Sequence, residues 1–158
     1  MALEFGSAGV ELRYAVESTS GSRPTTGYKK IPSVKSTPDF NAEPSALDVT
    51  DFSDLVWRRS IPGLRDAGGA LAFTANMTEA FKSAWNSLVS AAAAAKSSNK
   101  STWFEVAIPN FDSFYFSGMP IELGLKSMEV DSVVEADGYI IPNSIVGWTT
   151  SSTSVISN

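Results

Sequence analysis

The chain of 158 residues has no histidine and no cysteine, and these two gaps exclude a large share of side-chain chemistry. Without histidine there is no Ser-His-Asp or Cys-His catalysis, and the commonest metal ligand is missing. Without cysteine there is no disulfide framework, no thiolate nucleophile and no Cys-type zinc site, and the compartment stays undetermined. No stretch of 18 apolar residues occurs, and the opening MALEFGSAGVELRY lacks a basic segment followed by an apolar one, so neither a membrane span nor a secretory leader is expected. Phosphate-cradling glycine loops are absent too, because Gly63, Gly68 and Gly69 do not follow a strand in the required spacing. The catalytic option that survives is a pair of carboxylates ~5 to 9 Å apart, which needs a concave pocket and a perturbed acid. The expectation is a chain that is not an enzyme and holds no cofactor or metal.

Cations are also scarce. Twelve Lys and Arg stand against 17 Asp and Glu, a net charge of −5, which argues against a protein that coats nucleic acid. The imbalance is local. Residues 20–36 carry Arg23, Lys29, Lys30 and Lys35 without an acid, whereas residues 37–57 carry Asp39, Glu43, Asp48, Asp51 and Asp54 without a base. From residue 101 onward seven acids face Lys126 alone, so that third carries −6 and the remainder +1.

What is present reads as strands around one helix, in a single domain over 1–150 followed by a flexible polar tail, 151–158. Val10, Leu12, Tyr14 and Val16 alternate with Glu11, Arg13, Ala15 and Glu17, the period of a half-buried strand. STSGSRPTTG follows as a turn or mobile loop, then a strand over Tyr28 to Lys35 that Pro32 places at an edge or bulge. Residues 37–69 form a long loop rich in Pro and Gly, with Phe52 to Arg59 as a strand or hairpin arm. A loop of this length is uncommon unless it is functional or ordered by a partner. After a strand ALAFTA, the chain enters a helix over 77–96, with Asn76 as N-cap and Glu79 completing a capping box. Phe81, Ala84, Trp85, Leu88 and Ala92 supply its apolar face. Strands follow at Trp103 to Ile108, at Ser113 to Leu125 with an interruption near Gly118 and Pro120, and at 127–140. Ile140 and Ile141 then lead through Pro142 to a short segment ending near Trp148. The fold class is α+β, mainly β.

As a strand, SMEVDSVVEADGYI puts Glu129, Asp131, Glu135 and Asp137 in a row on one face with no cation between them. Like charges side by side repel, so the row is either a wetted sheet face or a surface that a polyanion must pass without adhering. A flat row suits divalent metals poorly. Of the four tryptophans, Trp85 and Trp103 fall at core positions. Trp57, in the long loop, suits a subunit contact as well as local packing. A carbohydrate-binding β-sandwich that uses Trp57 or Trp148 as its platform is an alternative of another class. Arg58, Arg59 and Arg65 follow the acids of that loop, either as surface balance or as the complement to a neighbouring copy.

At AEPSALDVTDFSD (42–54) and IPGLRDAGGALAFTANMTEAF (61–81) the chain resembles the major tail tube proteins of long-tailed, siphovirus-type bacteriophages, over approximately residues 10–150. That resemblance implies a two-sheet β-sandwich or barrel-like subunit flanked by one helix. It implies hexameric rings stacked into a hollow tube in the virion, made of protein synthesised in the host cytoplasm. Its partners would be further copies, a tape measure protein, and tail terminator and tip proteins, with double-stranded DNA passing through transiently and no membrane insertion. The acidic residues Glu129, Asp131, Glu135 and Asp137 would line the lumen. Asp39, Glu43, Asp48, Asp51, Asp54, Trp57, Arg58, Arg59 and Arg65 would make subunit or ring contacts. The inner tube of a contractile injection system shares the fold and is the alternative.

Overall fold

The computed structural model describes residues 6, 8–66, 68–149 and, for the backbone, 155–156. Ten strands and one helix follow in the order β1 (Glu11–Val16), β2 (Tyr28–Ile31), β3 (Val34–Ser36), β4 (Ala46–Asp48), β5 (Ser60–Pro62), β6 (Leu71–Asn76), α1 (Glu79–Ser97), β7 (Thr102–Ala107), β8 (Ser113–Pro120), β9 (Glu135–Thr149) and β10 (Val155–Ile156). Eight strands form one sheet in the order β10-β2-β1-β7-β8-β9-β6-β3, and β4 and β5 pair separately as a small second sheet. The fold is α+β and mainly β, as expected.

Pro32 and Ser33 alone join β2 to β3, although six strand steps separate the two in that order. Six steps in a flat sheet span about 29 Å, whereas two intervening residues reach at most about 11 Å. The sheet must therefore curl until its ends meet, which makes it barrel-like. Ser33 takes the turn with a φ of 65°, and its carbonyl accepts from the amide of Asn76. The stretch expected as one edge strand over Tyr28 to Lys35 is thus two strands, because the link hands the chain from one end of the sheet to the other.

Alternation along the strands fills the inside of the curl. Leu12 and Tyr14, Phe104 and Val106, Phe116, Phe73, Ala136 and Ile140 share one apolar cluster with Phe81, Trp85 and Leu88 of α1. Trp85 is fully buried and its indole N–H donates to the carbonyl of Ile121, while its ring lies over Gly138, where a Cβ would come within 2.5 Å of it. The N-cap is Thr78, not Asn76: its hydroxyl accepts from the amide of Phe81 at 3.1 Å. Asn76 is drawn into β6 by pairing with Glu135, so Glu79 starts the helix and no capping box forms.

The outer face of β1, β7 and β8 is covered as well. Ala15, Tyr28, Trp103 and Tyr115 form a second cluster, and the segment after β1 folds over it. The Arg23 guanidinium lies 4.3 Å from the Tyr115 ring centre, the Tyr28 hydroxyl donates to the carbonyl of Pro24, and the amide of Gly21 donates to Glu17. STSGSRPTTG is thus a cover tied at several points, not a loose turn.

The largest departure concerns residues 121–134, which form no strand. Asp131 adopts a φ of 62°, a left-handed conformation that breaks a pleat, and Ser132 donates to the carbonyl of Glu129 to close a turn. β9 begins only at Glu135 and then runs unbroken through Pro142 to Thr149. The expected break at Pro142 is absorbed by irregular register against β8, where Ser117 pairs with Ser144 and Gly118 with Pro142; a bulge tolerates a residue that cannot donate. Of the polar tail, only Val155–Ile156 lies within the described residues, where its backbone pairs in parallel with β2. Its expected flexibility otherwise falls outside them.

Candidate assembly surfaces

The long loop is an arm. β4 and β5 pair Ala46 with Pro62, Leu47 with Ile61 and Asp48 with Ser60, and the residues expected as a strand, Phe52 to Arg59, form its tip instead. Several polar contacts fix that tip. Asp48 accepts from the amide of Thr50 at 2.9 Å and Asp51 from that of Ser53 at 2.8 Å. The Arg59 guanidinium reaches Asp54 at 2.7 Å and Asp51 at 3.0 Å, and its amide donates to the Thr50 hydroxyl. Hydrogen bonds from Thr50, from Ser53, and from the Asp51 amide together with Arg59 hold the carboxyls of Asp48, Asp51 and Asp54 respectively below their ordinary range. These three acids and Arg59, expected as contacts to a neighbour, first of all fold their own tip.

With the polar groups turned on one another, the apolar ones are left in solvent. Phe52, Leu55, Val56 and Trp57 are between 82% and 104% exposed. Contiguous apolar exposure of this kind marks an interaction surface. Arg58, Arg65, Asp39 and Glu43 are also exposed, and Asp39 accepts from the amide of Asn41.

The four acids expected in one row are split. Glu135 and Asp137 share a face of β9, but cations answer both: Lys35 pairs with Glu135, and Lys126 lies 3.6 Å from Glu135 and 3.3 Å from Asp137. The Lys35 hydrogen bond holds the Glu135 carboxyl below its usual value, and the Thr74 hydroxyl donates to Asp137. Glu129 and Asp131 stay in the exposed turn, beside Val130 at 95% exposure. Alternation alone could not show that Lys35, a hundred residues away in sequence, lies beside Glu135.

Two buried acids escaped sequence reasoning. Glu105 is fully buried, yet Arg13 donates to it at 3.0 Å and the Tyr115 hydroxyl also donates. Glu17, 4% exposed, accepts from the Trp103 indole at 2.8 Å and from the amides of Ser101 and Gly21. Burial pushes the Glu17 carboxyl up, but these hydrogen bonds and the Lys100 charge outweigh it and leave the group below its ordinary value. Both acids serve the fold: a buried charge persists where its oxygens are satisfied.

One broad concavity opens at the foot of the arm, about 1250 Å³ in volume. It is lined by both stems of the arm and by apolar groups of the sheet, among them Val106, Phe114, Ile145 and Trp148. Phe40 packs at its base, 4.8 Å from Phe114 and 5.0 Å from Phe116 between ring centres. Trp148 is 57% exposed and meets Phe111 and Phe114 edge-on. Among the described residues no group of three or more acids converges as a metal site would require, and no helix is long and apolar enough to cross a membrane.

The overall fold recurs in solved assemblies. Residues covering 92% of this chain superpose on 95% of a chain from the six-fold-symmetrised baseplate of the anti-feeding prophage, with a TM-score of 0.59 and 7% identity. The tube-terminating cap of the same prophage gives 0.54 at 10% identity, with 95% of each chain covered. The chain has a phage-tail-like fold. A sheath/tube terminator of the PVC extracellular contractile injection system, in its extended state, gives 0.53 at 13% identity, covering 94% of this chain and all of that one. No protein-family profile and no curated protein matches. The likeness is therefore one of phage-tail-like architecture, found in contractile systems and not specifically in long-tailed phages.

Proposed function

We propose that this chain is a non-catalytic structural subunit of a phage-tail-like assembly, joining copies of itself into a ring in or at the end of a hollow tube. The observation that carries the reading is the arm, whose polar side chains hold its tip together while four large apolar ones stand in water. A monomer gains nothing from that arrangement, and a subunit with a neighbour does. Similarity to chains of contractile injection assemblies over at least 92% of the sequence supports a contractile system ahead of the tail of a long-tailed phage. Six-fold closure, and contact with terminator, tip or tape measure proteins, belong to the same reading.

A bore for double-stranded DNA or another polyanion rests on Glu129 and Asp131, because Glu135 and Asp137 are already answered by Lys35 and Lys126. Electron microscopy and sedimentation of the purified full chain at rising concentration test the main reading. Rings or tubes are expected, and a protein that stays monomeric to millimolar concentration would defeat it.

A further inference from the structure

The arm has a tip without a socket, and the same chain has a socket without an occupant. We propose that the tip, Phe52, Leu55, Val56 and Trp57, seats in the concavity at the foot of the arm of a second copy. This rests on the self-assembly reading above and names the two surfaces that meet. Each surface presents apolar groups to solvent: the tip residues are at least 82% exposed, and Ile141, Ile145, Val146 and Trp148 beside the concavity are 44% to 57% exposed. At about 1250 Å³ the concavity exceeds the ~300 to 1,000 Å³ that encloses a small ligand, and it suits a loop tip better. A chain does not fill its own socket, since the stems Thr37–Ala42 and Leu64–Asp66 form part of its wall and the tip at the far end of the arm stays in solvent.

Area and charge favour a second copy as the occupant. Phe52 and Trp57 each bring roughly 150–250 Å², and with Leu55 and Val56 the tip approaches the ~800 Å² per partner of a specific interface. Arg59 is committed to Asp51 and Asp54, but Arg58 makes no ion pair among the described residues, and the socket rim carries Asp39 and Asp66. The rim's Arg65 offers the opposite sign to the tip acids. Tip into socket joins two different surfaces, so it propagates into a ring or a filament unless two copies exchange arms reciprocally and close as a dimer.

A mixing experiment distinguishes the outcomes. Trp57→Asp removes the tip and leaves the socket, while Ile145→Arg blocks the socket and leaves the tip; circular dichroism confirms that each variant folds. Val146→Arg replaces the socket variant if Ile145→Arg does not fold. Alone, each variant should need about thirtyfold more protein to associate than the parent, the scale of losing one interface hot spot. Mixed one to one, they should form a heterodimer of two chains and grow no further, because one good tip and one good socket remain between them. Polymerisation of either variant alone at the parent's concentration, or a mixture with no heterodimer, overturns the pairing while leaving self-assembly intact. A parent chain that never associates overturns the self-assembly reading itself.

Discussion

Glu17 shows how one residue ties stability to pH. Its carboxyl sits below its ordinary value of 4.5 in the folded chain, because the hydrogen bonds it accepts outweigh the effect of burial. A group depressed in this way adds stability that is fully present above 4.5 and lost as pH falls through the folded value. Glu17→Gln should therefore cost on the order of 2 kcal/mol at pH 7, the worth of hydrogen bonds to a charged acceptor. Its deficit against the parent should be undiminished in urea melts at pH 5 and smaller at pH 3.5, and a deficit constant with pH down to 3.5 would contradict the assignment. Gly138 is the steric counterpart. A methyl there meets the fully buried Trp85 ring at 2.5 Å, so Gly138→Ala should lose about 1 to 3 kcal/mol of stability, the cost of overpacking, read from thermal unfolding. Neither role could be read from the sequence. The alternation in β1 marked Glu17 as an outward acid, and nothing near it announces that Trp103, 86 residues on, will donate to it.

At the scale of elements, regular ones were legible and connections were not. The apolar stripe Phe81, Ala84, Trp85, Leu88 and Ala92 located α1 because a period of 3.6 is a property of the stretch itself. The cap lies two residues beyond the one the sequence predicts, since Asn76 and Thr78 are both good caps and only the pairing of β6 with β9 decides between them. Thr78→Ala should cost about 1 kcal/mol and Asn76→Ala should leave the helix cap unaffected, which melting of the two variants would compare. The acidic stretch departs further. Alternation over 128–137 predicts a pleat, but a left-handed Asp131 and a turn at Ser132 override it, and two local signals of that kind are weaker in sequence than ten residues of pattern. In the arm, Trp57 stands out in the sequence beside the charges Asp48, Asp51, Asp54 and Arg59, whereas Phe52, Leu55 and Val56 lack any period that would mark them. Arg59→Ala tests the division of labour. It should move the thermal midpoint of the isolated chain little, since the arm is outside the main core, and raise sharply the concentration at which the chain associates.

On the scale of the whole molecule, the closure of the sheet was the hardest feature to foresee, because a two-residue link between its two ends is invisible until strand order is known. The resemblance to tail tubes caught the architecture and pointed to long-tailed phages, whereas the structural likenesses lie with contractile systems. If Glu129 and Asp131 face a bore, Glu129→Lys with Asp131→Lys should assemble normally and retain polyanionic cargo, measured as nucleic acid co-sedimenting with tubes at low salt and released at high salt. Equal co-sedimentation with parent tubes would remove that assignment. The order in which the chain is made bears on when such tubes begin to grow. Synthesis delivers the apolar arm, complete by Pro62, well before β7, β8 and β9 exist, and the wall of the concavity is completed only by those last strands. If the tip seats as proposed, a nascent chain can offer its plug to a finished copy but has no hole of its own until β9 is made, so growth through that end waits for the completed chain.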